Sequence, residues 1–395
     1  MVLGALCTGG AGSAGCVDHR DGITGTQSIQ VELVSPVDPG AVDRPLSPDQ
    51  RMVEIDLTAR DAAGNIDTSF EREVQVYAQF LGTLTPALGA DPPLAKIQMI
   101  AGQAMGTTIM LPPVFGPTTL WIDDGQDAEP TYATGTSPAL WYRAPFIADI
   151  QTPGSQTASD ALTRSPLELK QVTVNGSRHG ALGRLVVTST YSQGYTVSDV
   201  KCMDATGAPP CTADAYDHIV VFTFSAPADQ QGRALRVGQT IDAFSGGISE
   251  FNGLTEIGFP GTQASSDEVA LGRLPAPAVF DSAWFGPLSD PGGRINFERN
   301  EAAAIEVDGG TVCELDDEYE TFRQWKLDPA GVGGDCSNNS NVLNVITTGV
   351  IADFDPAALV GKTLPRVVGV LRPVEIGDFN VWILFPRSEA DLTLP

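Results

Sequence analysis

The sequence lacks any apolar run that approaches the ~18 residues a membrane-spanning helix requires. It is also poor in basic residues, with 23 Lys and Arg against 49 Asp and Glu and a net charge of −26. A surface this acidic repels nucleic acid and anionic lipid headgroups. The composition therefore disfavours a nucleic-acid partner, and it suits an exported protein with a cationic partner or divalent ions.

Catalytic motifs are absent as well. The chain has three histidines, His19, His179 and His218, and none belongs to an HExxH or HxH pattern or to an evident metal-binding trio. No GxSxG motif and no phosphate-binding loop with its lysine occur. Paired carboxylates are abundant, but hydrolysis requires two that face each other in the fold. The sequence therefore predicts no catalytic residue and a protein that is not an enzyme.

Acidic clusters are the remaining candidates for an ion site. Residues 123–129 (DDGQDAE) place four acids within seven positions after a predicted strand. Calcium favours such oxygen-rich loops, so Asp123, Asp124 and Asp127 are candidate ligands, although the spacing is not that of an EF-hand. Residues 314–320 (ELDDEYE) form a second cluster. For both clusters a solvated acidic loop is the favoured interpretation and a calcium site is the alternative, and no other cofactor is predicted.

The N-terminal residues resemble the end of a bacterial signal peptide. Residues 1–7 are apolar, residues 9–15 are mostly small, and residues 13–16 (SAGC) resemble a lipobox, with Ser13 where Leu or Val is usual. That resemblance implies a signal and lipobox remnant at 1–16, lipid attachment at Cys16 and a tether at 17–27. It also implies an outer-membrane lipoprotein, or a protein of the cell surface or periplasm, that meets the membrane only through its lipid.

The cysteine count agrees with export. Of six cysteines, cleavage before Cys16 would remove Cys7, and lipidation would use Cys16. The other four form two local pairs by proximity, without zinc-ligand spacing. These pairs are Cys202 with Cys211 and Cys313 with Cys336. We expect two disulfides in an oxidising compartment, and the alternative is free buried thiols.

Residues 28–146 show the period-2 alternation of strands with one buried face. It is clearest at 29–34, 52–59 and 73–78. Residues 59–65 (ARDAAGN) end a strand in a turn and resemble the corresponding turn of bacterial immunoglobulin-like domains. That resemblance implies a β-sandwich. Residues 147–166 are rich in small and polar residues and are predicted to be a linker.

Residues 167–280 contain five segments in the order found in OB-fold domains that accompany secreted bacterial nucleases. They are 183–191, 194–199, 218–225, 235–240 and 247–257 (GISEFNGLTEI). The resemblance implies a β-barrel whose glycines bend strands at its corners. We interpret Glu250, Asn252 and Thr255 as turn and barrel-end residues.

Residues 281–294 form a predicted connector, and residues 295–395 repeat the pattern more loosely. The segments that resemble a second OB-like barrel are 321–327, 342–350, 359–371 and 381–392. A nucleic-acid groove is disfavoured in both barrels, because residues 181–275 carry five basic and ten acidic side chains, and residues 300–395 carry six and sixteen.

The sequence thus predicts an all-β protein with an immunoglobulin-like sandwich and two OB-like barrels. The function it favours is a non-enzymatic, lipid-anchored envelope or surface protein that binds other envelope proteins or a surface polymer. The alternative is an accessory component of an extracellular nuclease or glycan-degrading system.

Overall fold

The computed structural model describes residues 25–82, 92–125, 133–154, 164–337, 339–376 and 379–395. Cys16, the predicted signal segment and Asp127 lie outside these residues. Strands dominate the described residues, and the three α-helices there are five or six residues long. The protein is therefore all-β, as predicted. None of the helices described has the length and apolar character needed to cross a membrane.

The described chain forms two compact units, one within residues 1–79 and 84–141 and the other within residues 80–83 and 142–395. The first unit is a β-sandwich. Its strands are β1 (Ser28–Ser35), β2 (Met52–Arg60), β3 (Glu73–Phe80), β4 (Ala95–Gln98), β5 (Gln103–Met110), β6 (Pro117–Asp123), β7 (Thr134–Thr136) and β8 (Leu140–Trp141). One sheet has the order β1-β2-β5, and the other has the order β4-β3-β6-β7 with β8 paired to β6.

Side chains on alternate positions of these strands are buried. Along β2, Val53, Ile55 and Leu57 are fully buried while the residues between them are partly exposed. This is the alternation expected of a sheet that packs one face into a core. At the end of β2, Asp61 Oδ1 accepts the backbone N–H groups of Ala63 at 2.9 Å and of Asn65 at 2.8 Å. The carboxylate therefore fixes the turn that the ARDAAGN segment predicted.

The second unit begins with a closed barrel. Its strands are β9 (Gln171–Val174), β10 (Gly183–Tyr191), β11 (Gly194–Lys201), β12 (His218–Phe222), β13 (Gln239–Phe251) and β14 (Leu254–Val269). The ring runs β10-β11-β12-β14-β13 and closes where β13 pairs with β10, while β9 adds to β13. Pairing is antiparallel except between β12 and β14. This is a five-stranded barrel of the OB-like kind.

The predicted segment 247–257 forms a hairpin. Asn252 and Gly253, with φ angles of 52° and 82°, form the turn between β13 and β14. An Asn-Gly pair with both φ values positive is the favoured two-residue hairpin turn. Glu250 pairs with Thr255 across the hairpin, and Thr255 Oγ1 donates to Glu250 Oε1 at 2.9 Å. Glu250, Asn252 and Thr255 therefore hold the barrel end, as the sequence indicated.

The same topology recurs in the rest of the second unit. Its elements are β15 (Ala278–Val279), β16 (Ala304–Asp308), β17 (Thr311–Val312), β18 (Gln324–Asp328), β19 (Leu343–Ile346), β20 (Arg366–Ile376), β21 (Phe379–Phe385) and β22 (Leu392–Thr393). The helices of this unit are α1 (Ile147–Gln151), α2 (Ile295–Arg299) and α3 (Asp317–Phe322). The sheet order is β15-β16-β20-β21-β19-β18-β17, with β19 parallel to β21.

Only Gly309 and Gly310 separate β16 from β17, so the two strands act as successive halves of a first barrel strand. One half pairs with β20 and the other with β18. The ring of pairings therefore closes through the chain itself, in the same strand order as the first barrel. After the closing strand, the side chain of Arg387 donates two hydrogen bonds to Asp391, at 2.9 and 2.8 Å. This ion pair explains why an arginine and an aspartate stand four positions apart in residues 387–391 (RSEAD).

Several local features differ from the sequence-based expectation. Thr321 and Phe322 end α3 instead of beginning a strand, and β18 starts only at Gln324, after a left-handed residue at position 323. Within the segment predicted as a linker, residues 147–151 form α1, whose Ile147 and Ile150 are buried. Local propensity did not reveal these features because tertiary burial of apolar side chains stabilises such short helices.

Two disulfides are present in the second unit, Cys202–Cys211 and Cys313–Cys336. Cys202 and Cys211 pack with Val186 and Val200 in a small buried cluster. The Cys313–Cys336 bridge ties the residue after β17 to the loop between β18 and β19. Disulfides of this kind persist in oxidising compartments, as the predicted export requires.

Candidate functional site

A groove of about 460 Å³ lies on the second barrel. Its walls come from β18, β19 and β21, together with α3, the segment 285–297 and the loop before β19. Counting β16 and β17 as one strand, β18 and β19 are the second and third strands of the barrel. That face is the one on which OB-folds bind oligonucleotides and oligosaccharides. The lining residues are Phe285, Arg294, Phe297, Glu318, Lys326, Ser337, Asn339, Ser340, Val342, Leu343, Asn344, Asn380, Val381 and Trp382.

An aromatic wall forms one side of the groove. The ring of Trp382 stacks on Phe297 with centroids 5.5 Å apart and planes inclined by 19°, and Phe285 lies 5.8 Å from Phe297. The indole Nε1 of Trp382 is buried and has no hydrogen-bond partner among the described residues. The indole is therefore packed into the aromatic wall, and its N–H is not exposed to the groove.

Lys326 is the basic residue at the centre of the groove. Its Nζ lies 2.6 Å from Asp316 Oδ2 and 3.3 Å from Glu318 Oε2, and its side chain is nearly buried. Burial acts to lower the pKa of Lys326, but the hydrogen bond to Asp316 and the charge of Glu318 outweigh it and raise the pKa. Asp316 also caps α3 by accepting the backbone N–H groups of Glu318 and Tyr319. The lysine is therefore charged but already neutralised within the protein.

Apart from Arg294, the remaining polar lining is uncharged. Asn339, Asn344 and Asn380 supply amide groups, and Ser337 and Ser340 supply hydroxyls. The Asn344 Oδ1 atom accepts a hydrogen bond of 3.0 Å from Gln324 Nε2, which orients its amide. The Cys313–Cys336 disulfide ties the start of the loop that carries Ser337 to the residue after β17. The groove thus combines an aromatic wall with neutral donors and acceptors.

A second polar feature is a buried carboxyl between the two barrels. Glu301 Oε1 accepts the backbone N–H of Thr255 at 3.1 Å and the Nε2 of Gln151 at 3.3 Å. Gln151 also donates to the carbonyl oxygen of His218 at 2.6 Å. Burial, followed by the charge of Glu298, raises the pKa of Glu301 well above its ordinary value. A protonated carboxyl is therefore favoured at this position.

A serine and a histidine meet in the first barrel. Ser198 Oγ lies 2.7 Å from His218 Nδ1, and both side chains border a small cavity of about 120 Å³. Burial, with the nearby charge of Arg178, lowers the pKa of His218 to about 4. A general base works best with a pKa near the operating pH, so this imidazole is a poor base for activating Ser198. The pair does not resemble a nucleophilic site.

Three metal-ligand side chains meet beside this pair. His179, Asp199 and Asp217 place one ligand-type atom each within 4.8 Å of the others, and theirs is the one such group found in the part of the chain that the structure describes. His179 Nε2 lies 3.0 Å from Asp217 Oδ2. Burial raises the pKa of Asp199, although its hydrogen bonds to Ser177 and to the Arg178 backbone oppose the shift. Sequence spacing did not reveal this trio.

The candidate calcium ligands occupy a different setting in the first unit. Asp124 is almost fully buried, lies 3.5 Å from Arg72 Nη1, and accepts the backbone N–H of Ala133 at 3.1 Å. Asp123 Oδ1 accepts the backbone N–H of Gly125 at 2.6 Å. Asp127 lies outside the described residues. Both described carboxylates therefore already serve local structure.

No sequence motif pointed to the groove, because its side chains come from segments that are distant in the chain. The closing-strand pattern around Trp382 was the one signal available. In comparisons with known proteins, no protein-family profile, curated protein or solved structure matches the chain.

Proposed function

We propose that the protein is a non-enzymatic binding module of the cell envelope, exported and lipid-anchored through Cys16, whose groove on the second barrel holds a segment of a neutral surface glycan. The observation that carries this proposal is the lining of the groove, in which uncharged amides and hydroxyls lie beside an aromatic wall. Sites that orient polar ligands combine a few placed polar groups with an apolar wall.

The electrostatics of the groove support a neutral ligand. Arg294 and Lys326 are the basic lining residues, while Asp316 and Glu318 neutralise the lysine. Polyanion grooves carry an excess of basic residues that release counterions on binding. This groove has no such excess, and the chain as a whole carries a charge of −26. A glycan ligand is also compatible with an accessory role in a glycan-degrading system. An accessory protein of a nuclease would instead need an excess of basic residues in the groove.

The test is a binding titration of the full chain with neutral hexasaccharides built from glucose and from N-acetylglucosamine, followed by tryptophan fluorescence. A twelve-nucleotide single strand at low salt serves as the competing probe. We expect saturable binding of at least one hexasaccharide and none of the oligonucleotide. Oligonucleotide binding, or no binding of either hexasaccharide, would contradict the proposal.

Variants then locate the ligand. Asn339→Ala and Asn380→Ala each remove an exposed amide of the groove lining. Because one neutral hydrogen bond contributes about 1 kcal/mol, each change should weaken binding by about fivefold. Asn341→Ala is the matched control, since Asn341 is exposed in the loop before β19 but does not line the groove. Equal weakening by the control would place the ligand elsewhere.

A further inference from the structure

Three segments of the first barrel converge on one buried point. His179 lies in the turn before β10, Asp199 lies on β11, and Asp217 immediately precedes β12. Because β11 pairs with both β10 and β12, the barrel topology brings these three positions together. Their ligand-type atoms lie within 4.8 Å of one another.

The carboxylate of Asp199 is incompletely satisfied. The side chain is fully buried, and the Arg178 backbone N–H donates to its Oδ2 at 2.8 Å, but Oδ1 has no hydrogen-bond partner in the described structure. Asp217 is also fully buried, and the nearest cation is Arg178, whose Nε lies 2.7 Å from Asp217 Oδ1. The basic side chains of Arg178 and His179 thus contact Asp217, whereas no Lys, Arg or His side-chain nitrogen of the described residues lies within 4.0 Å of the Asp199 carboxylate. Buried carboxylates without a matching positive charge are costly and are usually compensated by a cation or a proton.

We propose that His179, Asp199 and Asp217 bind a divalent transition-metal ion of the zinc type. One imidazole nitrogen and two carboxylate oxygens are a ligand set that zinc accepts, whereas calcium and magnesium prefer oxygen alone. Zinc ligands lie about 2.0–2.2 Å from the ion, so tetrahedral ligand atoms lie about 3.3 Å apart. The 3.0 Å between His179 Nε2 and Asp217 Oδ2 needs to widen by only a few tenths of an ångström.

The surroundings hold these ligands in place. Asp217 Oδ2 accepts the backbone N–H of Asp214 at 2.8 Å, while Arg178 contacts the other oxygen of the same carboxylate. Such outer contacts fix the orientation of metal ligands. Three protein ligands leave a fourth position for water. The ion would tie the turn before β10 to β11 and to the start of β12, independently of the groove.

The experiment is calorimetric titration of the chelator-treated full chain with Zn²⁺ alone. A background of millimolar Mg²⁺ suppresses weak binding to the acidic surface. We expect one Zn²⁺ per chain, and we expect at least tenfold weaker binding in Asp199→Asn and His179→Gln. Asp308→Asn removes an exposed acid of the same unit and is the matched control, with unchanged binding expected.

Substitution with Co²⁺ supplies a second readout that does not depend on variants. A tetrahedral site of one nitrogen and three oxygens gives visible absorption bands, whereas Co²⁺ on surface carboxylates remains octahedral and nearly colourless. Saturable bands at one equivalent that Zn²⁺ displaces would support the site. Absence of stoichiometric Zn²⁺ binding, or binding that both ligand variants leave unchanged, would overturn it.

Discussion

The buried carboxyl of Glu301 gives the second unit a pH dependence that one substitution removes. In the folded protein, burial and the neighbouring charge of Glu298 raise the pKa of Glu301 well above its reference value of 4.5. In the unfolded chain the carboxyl ionises at about its ordinary pKa. Between the two pKa values the folded state holds one proton more than the unfolded state. Stability therefore falls as pH rises through that window.

The slope follows from linkage. One proton of difference changes the free energy of unfolding by about 1.4 kcal/mol per pH unit. In Glu301→Gln the amide resembles the protonated carboxyl and keeps the acceptor for Thr255 and Gln151. The variant lacks the titration, so its stability relative to the parent protein should increase by about 1.4 kcal/mol per pH unit above pH 4.5. Below that pH, the difference should be small and constant.

Urea unfolding of the full chain at half-unit steps from pH 4 to pH 7, followed by tryptophan fluorescence, measures this difference. Contributions from titrating groups that do not interact with Glu301 cancel between the parent and the variant, whereas Glu298 titrates together with Glu301. Glu320→Gln is the matched control, because Glu320 is exposed on α3 and its replacement should give a flat difference. If Glu301→Gln also gives a flat difference, Glu301 ionises in the fold as it does in water, and the argument from burial is wrong.

Four further variants test packing and pairing. Lys326→Met should lower the free energy of unfolding by about 3 kcal/mol in urea, because it leaves the acids that flank a nearly buried lysine without their partner. Replacing both Cys313 and Cys336 with serine should lower the free energy of unfolding by about 2–4 kcal/mol. It should also weaken hexasaccharide binding, because the disulfide no longer holds the loop that contributes to the groove. Gly135→Ala should destabilise the sandwich by more than about 2 kcal/mol, because a Cβ would lie 1.9 Å from a carbonyl oxygen. At Gly64 an added Cβ would meet no atom beyond its chain neighbours within 4 Å, but φ is +84°. The change of Gly64 to Ala should therefore cost only about 1 kcal/mol. Thermal unfolding of both glycine variants, compared with the parent protein, measures that contrast.

Period-2 alternation predicted β2 to within a residue, because one face of that strand is buried and the pattern is local. The Asn252–Gly253 turn was visible in the sequence as an Asn-Gly pair, and the turn role interpreted for Asn252 agrees with the hairpin. The start of β18 was misplaced because the apolar residues before it belong to a short helix that tertiary contacts stabilise.

The candidate sites could not be predicted in the same way. Glu301 is fully buried, although glutamate is rarely buried. Nothing in its local sequence indicates the residues that donate hydrogen bonds to it. His179, Asp199 and Asp217 come from three segments that only barrel pairing brings together. The groove likewise depends on residues from a loop, a helix and three strands. Chemistry of this kind arises from topology, which sequence periodicity does not encode.

The parallel pairing of β12 with β14 has a consequence for how the first barrel forms. Val220 pairs with Glu256, although all of β13 lies between them in the sequence. In addition, β13 must pair with β10 before the ring is complete. Until residues 254–269 are available, β12 keeps an unpaired edge, which can recruit strands from other chains. Such non-local closure slows folding. The barrel therefore depends on its last strand, and a chain truncated before β14 should aggregate rather than fold as a smaller sheet.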